Sequence, residues 1–213
     1  MGTRVAQPLD RATVLREAFA LLDERGFSGL SLRSLADRLG VQAPAFYWHF
    51  SSKAELLGHM SAAIYRDART AVQPCDDWTT WLITYGRALR QRFSSQPGAA
   101  RICAIAQPLE GEVSITAASI AEPLTQHSVA EELALDAIAA VTSLAIGWSA
   151  YEPQGTMRSY LEDLMDFDES FEVGLDALIA GFKAKRGAVH RGSRRSTSER
   201  ADGRGARGVR ILP

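Results

Sequence analysis

The most constraining stretch of this chain is residues 31 to 49, where two helix-length segments of about eight residues are separated only by Gly40 and Val41. The first opens on Ser31, a residue type that caps a helix by accepting from the unpaired N–H groups of its first turn. It carries Leu32, Leu35, Ala36 and Leu39 on one face, and Gly40 stops it. The second runs from Gln42 to about His49, with Pro44 in its first turn, where proline's fixed φ and missing donor cost nothing. Helix, short glycine turn, helix is the arrangement that seats a second helix in the major groove of DNA. Before it, Asp10 caps a helix with Val14, Ala18, Leu21 and Leu22 on one face and Gly26 as its stop.

Beyond this pair the periodicity stays helical. Ser52, with Glu55 three residues on, forms a capping box for a helix reaching about Val72. Further helices are predicted over Asp77 to Ser95, Ala99 to Ala106 and Val113 to Gln126, the first two closed by Pro97 and Pro108. Ser128, with Glu131 three residues later, is read as the cap of the most apolar helix, which reaches about Tyr151. A short segment over Arg158 to Met165 follows, then a last helix capped by Asp168. From Arg186 onward Arg, Gly and Ser dominate, and the scarcity of apolar surface predicts disorder. The expected fold is all-α without strands. It has a three-helix DNA-binding head over 1–53 with a linking helix from 52, a ligand-binding and dimerisation body over 54–185, and a disordered tail over 186–213.

The net charge of −1 hides three unlike blocks. The head holds seven basic and five acidic side chains, the body nine and eighteen, the tail eight and two. A basic head on an acidic body points to a polyanion partner at the head. Two cysteines, Cys75 and Cys103, and four histidines, His49, His59, His127 and His190, are spread too widely for a disulfide scaffold or a metal site. Without a nucleophile motif or a glycine-rich phosphate loop, neither catalysis nor a cofactor is expected. No run approaches the roughly 18 apolar residues of a membrane span, and MGTRVAQPLD lacks an apolar signal core. The expected location is therefore the cytoplasm, with no membrane partner.

Residues 30 to 57, LSLRSLADRLGVQAPAFYWHFSSKAELL, resemble the helix-turn-helix of the TetR (tetracycline repressor) family of bacterial regulators, with YWHF and SSKAELL as the strongest marks. The resemblance extends more weakly over 10 to 185, through the number of helices, DDW at Trp78, the QPGAA turn and the closing helix pair. It is nearest the tetracycline-repressor-like branch. It implies an all-helical homodimer that represses from a pseudo-palindromic operator in double-stranded DNA and lets go when a small effector enters the body. In tetracycline-binding relatives a histidine in the turn matching residues 98 to 108 ligates the drug's magnesium. Ile102 or Cys103 stands there in this chain, which implies a different effector. The residues alone also leave open an activator, a non-responsive DNA binder, or a helical enzyme or carrier.

For DNA, Arg33 at the start of its helix has the reach for a guanine O6/N7 pair, and Gln42 suits an adenine edge. Ala43 and Pro44 offer apolar surface to a thymine methyl. Tyr47, Trp48, His49 and Lys53 are placed for phosphate. For a largely apolar effector, Trp81, Tyr85 and Leu89 form a stripe at i, i+4 and i+8, extended by Cys103, Gln107, Pro108, His127, Trp148, Tyr151 and Met165. The competing reading of that stripe is ordinary core. For a dimer, Ala134, Ile138, Val141 and Ala145 on one helix and Phe171, Leu175, Leu178 and Phe182 on another repeat at three and four, as in a four-helix bundle shared by two protomers.

Overall fold

The computed structural model describes residues 10–42, 50–111, 113–151 and 155–202, so Ala43, Pro44, Tyr47, Trp48 and His49 lie outside the described residues. The head opens with α1 (Arg11–Gly29), whose cap Asp10 accepts from the Thr13 N–H at 2.6 Å. Gly26, at φ 65°, breaks the helical path inside that span, so the predicted stop is a kink followed by one last turn. α2 (Leu32–Leu39) is closed at both ends. Ser31 and Ser34 exchange side-chain to backbone bonds of 3.0 Å, and Gly40 takes the left-handed conformation at φ 67°. Val14, Ala18, Leu21 and Leu22 join Leu35, Ala36 and the fully buried Phe50 in one core. Arg38 ties the two helices: its Nε donates to Glu17 at 2.8 Å and its Nη1 to Glu24 at 2.7 Å. Those bonds hold both carboxyls below their ordinary range.

α3 (Lys53–Thr70) leads from the head into the body. Ser52 caps it, accepting from the Glu55 N–H at 3.1 Å, while the Glu55 carboxylate reaches past the cap to the Ser51 N–H at 2.7 Å. α4 (Trp78–Ser95) is the central helix, packed by α7 (Glu131–Ser149) and α9 (Phe167–Asp202) and touched by α3 and by α6 (Ala117–Thr125). The short α5 (Ala99–Ile105) and α8 (Thr156–Glu162) complete the body. By length and composition α7 is apolar enough to cross a bilayer. Six of its residues, from Leu133 to Ala145, are nevertheless buried within this chain, and two glutamates stand in its first turn.

The body departs from the expected pattern in four places. Residues 109–114 form a hairpin of β1 (Leu109–Glu110) and β2 (Val113–Ser114), Leu109 opposite Ser114, with Gly111 at φ 66° in its turn. The helix predicted from Val113 therefore begins only at Ala117, where Thr116 accepts from the Ser119 N–H at 3.2 Å. Ser128 does not cap α7. It is left-handed at φ 59°, its N–H donates to the Thr125 carbonyl at 2.9 Å, and the cap position falls to Ala130. Asp166 rather than Asp168 serves the start of α9, accepting from the Glu169 N–H at 2.8 Å, and Asp168 pairs with Arg90 at 2.5 Å. α9 also runs to Asp202, past Arg186, where composition predicts disorder; extending a packed helix avoids the cost of nucleating a new one.

Candidate DNA-binding head and ligand cavity

Arg33 and Gln42 are exposed on either side of the Gly40 turn, one in the first turn of α2 and the other where the second segment opens. Lys53, predicted to face phosphate, has its ammonium 4.9 Å over the Phe27 ring, and the Arg101 guanidinium lies 4.2 Å from the same ring. Such a contact exploits the negative face of the aromatic ring, so Lys53 has an intramolecular partner before any DNA arrives.

Besides α5, whose Arg101 covers Phe27, α4 and α3 join head to body. The C-terminal end of α4 meets α1: the Gln96 amide donates to the Phe19 carbonyl at 3.4 Å, and the Arg92 guanidinium sits 5.2 Å over the Phe19 ring. α3 starts at the head and, at about 1.5 Å per residue, carries its far end roughly 27 Å away. That far end lines a cavity of about 400 Å³ enclosed by α3, α4, α6 and α7. Trp81 and Tyr85 stack along one wall, with ring centroids 4.8 Å apart and planes 21° off parallel. Tyr65 and Arg69 come from α3. Leu135, Ile138, Ala139, Thr142 and Ser143 come from α7, while Pro108, Ile115 and Ile120 close the remaining side.

Among the described residues the lining is neutral except at one point. Burial pushes the Tyr85 phenol up to about 12, against the opposing pull of its hydrogen bond with Thr142 and the charge of Arg69. Burial likewise raises Tyr65, whose hydroxyl donates to the Cys103 carbonyl at 3.4 Å. Both phenols therefore stay protonated near neutrality. The Cys103 thiol is pushed up to about 11 by burial, which leaves it a neutral packing group. Among the described lining residues Arg69 alone carries a charge; its Nη1 donates to the Ser119 carbonyl at 3.1 Å and its Nη2 to Glu122 at 3.4 Å.

Of the residues predicted for an effector, the structure brings Trp81, Tyr85 and Pro108 together at this cavity. Leu89 is fully buried core, Cys103 stands behind Tyr65, and Gln107 is exposed. His127 lines a neighbouring cavity of about 520 Å³ that shares Arg69 and Trp81 with the first. Trp148 is elsewhere, packed on Phe167 at 5.0 Å, Phe171 at 5.8 Å and Tyr151 at 6.4 Å, and neither Tyr151 nor Met165 lines the cavity. The periodicity missed Tyr65 and Arg69, whose i, i+4 spacing on the linking helix was the available signal. It also missed the half-polar side of α7, Leu135, Ala139, Thr142 and Ser143.

The predicted dimer set needs a larger correction. Ala134, Ile138, Val141, Ala145, Phe171 and Leu175 are buried within one chain, because α7 and α9 turn those faces onto α4. Leu178 and Phe182 are half-buried. The outward face of α9 is a different one, exposing Val173, Ala177, Ala180, Gly181 and Ala184.

The family described as bacterial regulatory proteins, tetR family, matches residues 14–60. Tetracycline repressor protein class G of Vibrio anguillarum is 33% identical over 205 residues, covering 85% of this chain and 97% of that protein. Class A from transposon 1721 of Escherichia coli is 44% identical over 98 residues, 45% of each chain. The crystal structure of TetR from Acinetobacter baumannii AYE matches with a TM-score of 0.65 at 31% identity, covering 84% of this chain and 98% of that one.

Proposed function

We propose that this chain, which belongs to the tetR family of bacterial regulatory proteins, is a ligand-responsive repressor: a homodimer holds a pseudo-palindromic operator and releases it when a small molecule fills the cavity. One observation carries the proposal. α3 is capped by Ser52 beside the helix-turn-helix and, at its other end, supplies Tyr65 and Arg69 to the cavity wall. A ligand that displaces Tyr65 or Arg69 moves a helix whose start is fixed to the head. Two heads on one duplex must sit about 34 to 36 Å apart, or a multiple of that, so a shift of a few ångströms suffices to lose register. Occupancy thereby favours a head spacing that fits DNA poorly, and the effect is limited by the ligand's differential affinity for the two arrangements.

Within this reading Arg33 and Gln42 read bases, and Ala43, Pro44, Tyr47, Trp48 and His49 complete the surface presented to DNA. The two protomers meet through the exposed face of α9, flanked by Leu178 and Phe182. The small side chains of Ala177, Ala180 and Gly181 allow the helices to approach closely. A variant of the Acinetobacter baumannii protein has been crystallised in complex with minocycline, at a TM-score of 0.67 and 32% identity to this chain, which supports a ligand-binding body. The test is to recover the genomic DNA retained by purified protein and then to screen compounds for its release. Recovery of one palindromic sequence, lost in Arg33→Ala and released by a compound in wild type but not in Tyr85→Ala, is the expected result. Retention that is independent of sequence would defeat the proposal.

A further inference from the structure

From the cavity's chemistry we infer that the effector is a flat aromatic molecule bearing one anionic group, the ring system lying against Trp81 and Tyr85 and the anion taking Arg69 from Glu122. The inference rests on reading this cavity as the effector site. Because the two rings stack on each other, each spends one face on its neighbour and leaves its edge and outer face to a ligand, whose rings gain there from offset or edge-on contact as well as from burial. Thr142 and the phenols of Tyr65 and Tyr85 are neutral hydrogen-bonding groups in the lining, suited to orienting a ligand but not to balancing a charge. The balance comes from Arg69, and among the described residues no acidic side chain lines the cavity beside it.

The resting contacts of Arg69 are weak ones to give up. Its bond to Glu122 is 3.4 Å long, and Glu122 is about half exposed, so the freed carboxylate turns to water at little cost. A carboxylate ligand, by contrast, meets the planar guanidinium with two parallel N–H donors in a shorter, charge-assisted geometry. Arg69 also keeps a third of its own side chain in contact with solvent and borders two neighbouring cavities. An anion there is accordingly not fully stripped of water, which removes the main penalty against charge in an apolar site. Exchange of Glu122 for the ligand also removes one of the two ties that Arg69 makes from α3 to α6, leaving its bond to the Ser119 carbonyl.

The experiment is calorimetric titration of the full-length protein with a matched pair, 9-anthracenecarboxylate and 9-anthracenemethanol, in wild type, Arg69→Gln, Arg69→Lys and Glu122→Gln, each checked for its native circular dichroism. The acid is expected to bind wild type about tenfold or more tighter than the alcohol, as a hydrogen bond to a charged group implies. Arg69→Gln should erase that ratio, Arg69→Lys should keep part of it, and Glu122→Gln should tighten the acid alone. Equal affinities in wild type, or a ratio unchanged in Arg69→Gln, would overturn the anion assignment. If the alcohol binds and its binding is lost in Tyr85→Ala, the cavity remains an effector site of a purely apolar kind. Binding of neither compound to the folded protein would overturn both readings.

Discussion

His59 is where a single side chain links stability to pH. It is buried on α3, edge-on to the Phe50 ring at 5.5 Å, hydrogen-bonded to the Leu109 backbone and 4.0 Å from Glu55. Burial holds its pKa below the ordinary 6.5; the charge of Arg11 adds to that effect and Glu55 opposes it. As pH falls through 6.5 the unfolded chain takes up a proton that the native imidazole refuses, so stability present above that value is lost toward the lowered native pKa. Melting temperatures should therefore drop between pH 7.5 and pH 5.5, and His59→Gln should flatten the drop; equal slopes would place the effect elsewhere. This burial could not be read from sequence, because one histidine among Gly58 and Met60 carries no periodic signal. Arg69 escaped for a related reason: a charged residue near a helix end reads as solvated, and only the fold shows that its neighbours enclose a cavity.

At the scale of elements, α3 is the part on which most depends, and Gly58 fixes where it lies. A Cβ at that position would stand 2.7 Å from the Leu109 side chain and 2.8 Å from the Gln107 carbonyl, so α3 and the segment leading into β1 approach through a residue that has none. Gly58→Val should cost about 1–3 kcal/mol by overpacking, measured as a lower urea midpoint with an unchanged slope. A midpoint equal to that of wild type would show that the contact yields freely. The helices were legible wherever caps and stops coincide with periodicity, as in α2 between Ser31 and Gly40. The β1–β2 hairpin was not, because strands of two residues are too short to show alternation. Ser128 misled for a local reason: the serine and glutamate pattern of a capping box is present, but the chain turns left-handed at that residue and the helix starts later.

For the whole molecule, helical periodicity identifies apolar faces but not which partner each face meets. Periodicity alone gives the faces of Ile138 and Leu175 to a second protomer, whereas the fold spends them on its own α4. Ala180 on the outward face of α9 separates the two roles, because it is exposed in one chain and an arginine there leaves the protomer core intact. Sedimentation at micromolar concentration should show wild type as a dimer and Ala180→Arg as a folded monomer; a dimeric variant would move the interface off α9. The arginine-rich end of α9 also has a definite position. Arg186 donates to the His127 carbonyl at 3.1 Å and lies 5.6 Å from the Trp78 ring, at the end of α4 opposite Gln96 and the head. The helix beyond it thus starts at the end of α4 remote from the head of its own chain. Central to the proposed function is a coupling between cavity and head, and any such coupling is reciprocal: a ligand that weakens operator binding must itself bind more weakly to the operator complex, by the same factor. The most direct test is the Kd of one cavity ligand for free dimer and for operator-bound dimer, measured in the same buffer. The expected result is a weakening of about 5- to 150-fold on DNA, matched by the loss of operator affinity at saturating ligand. Equal Kd values in the two states would contradict the account.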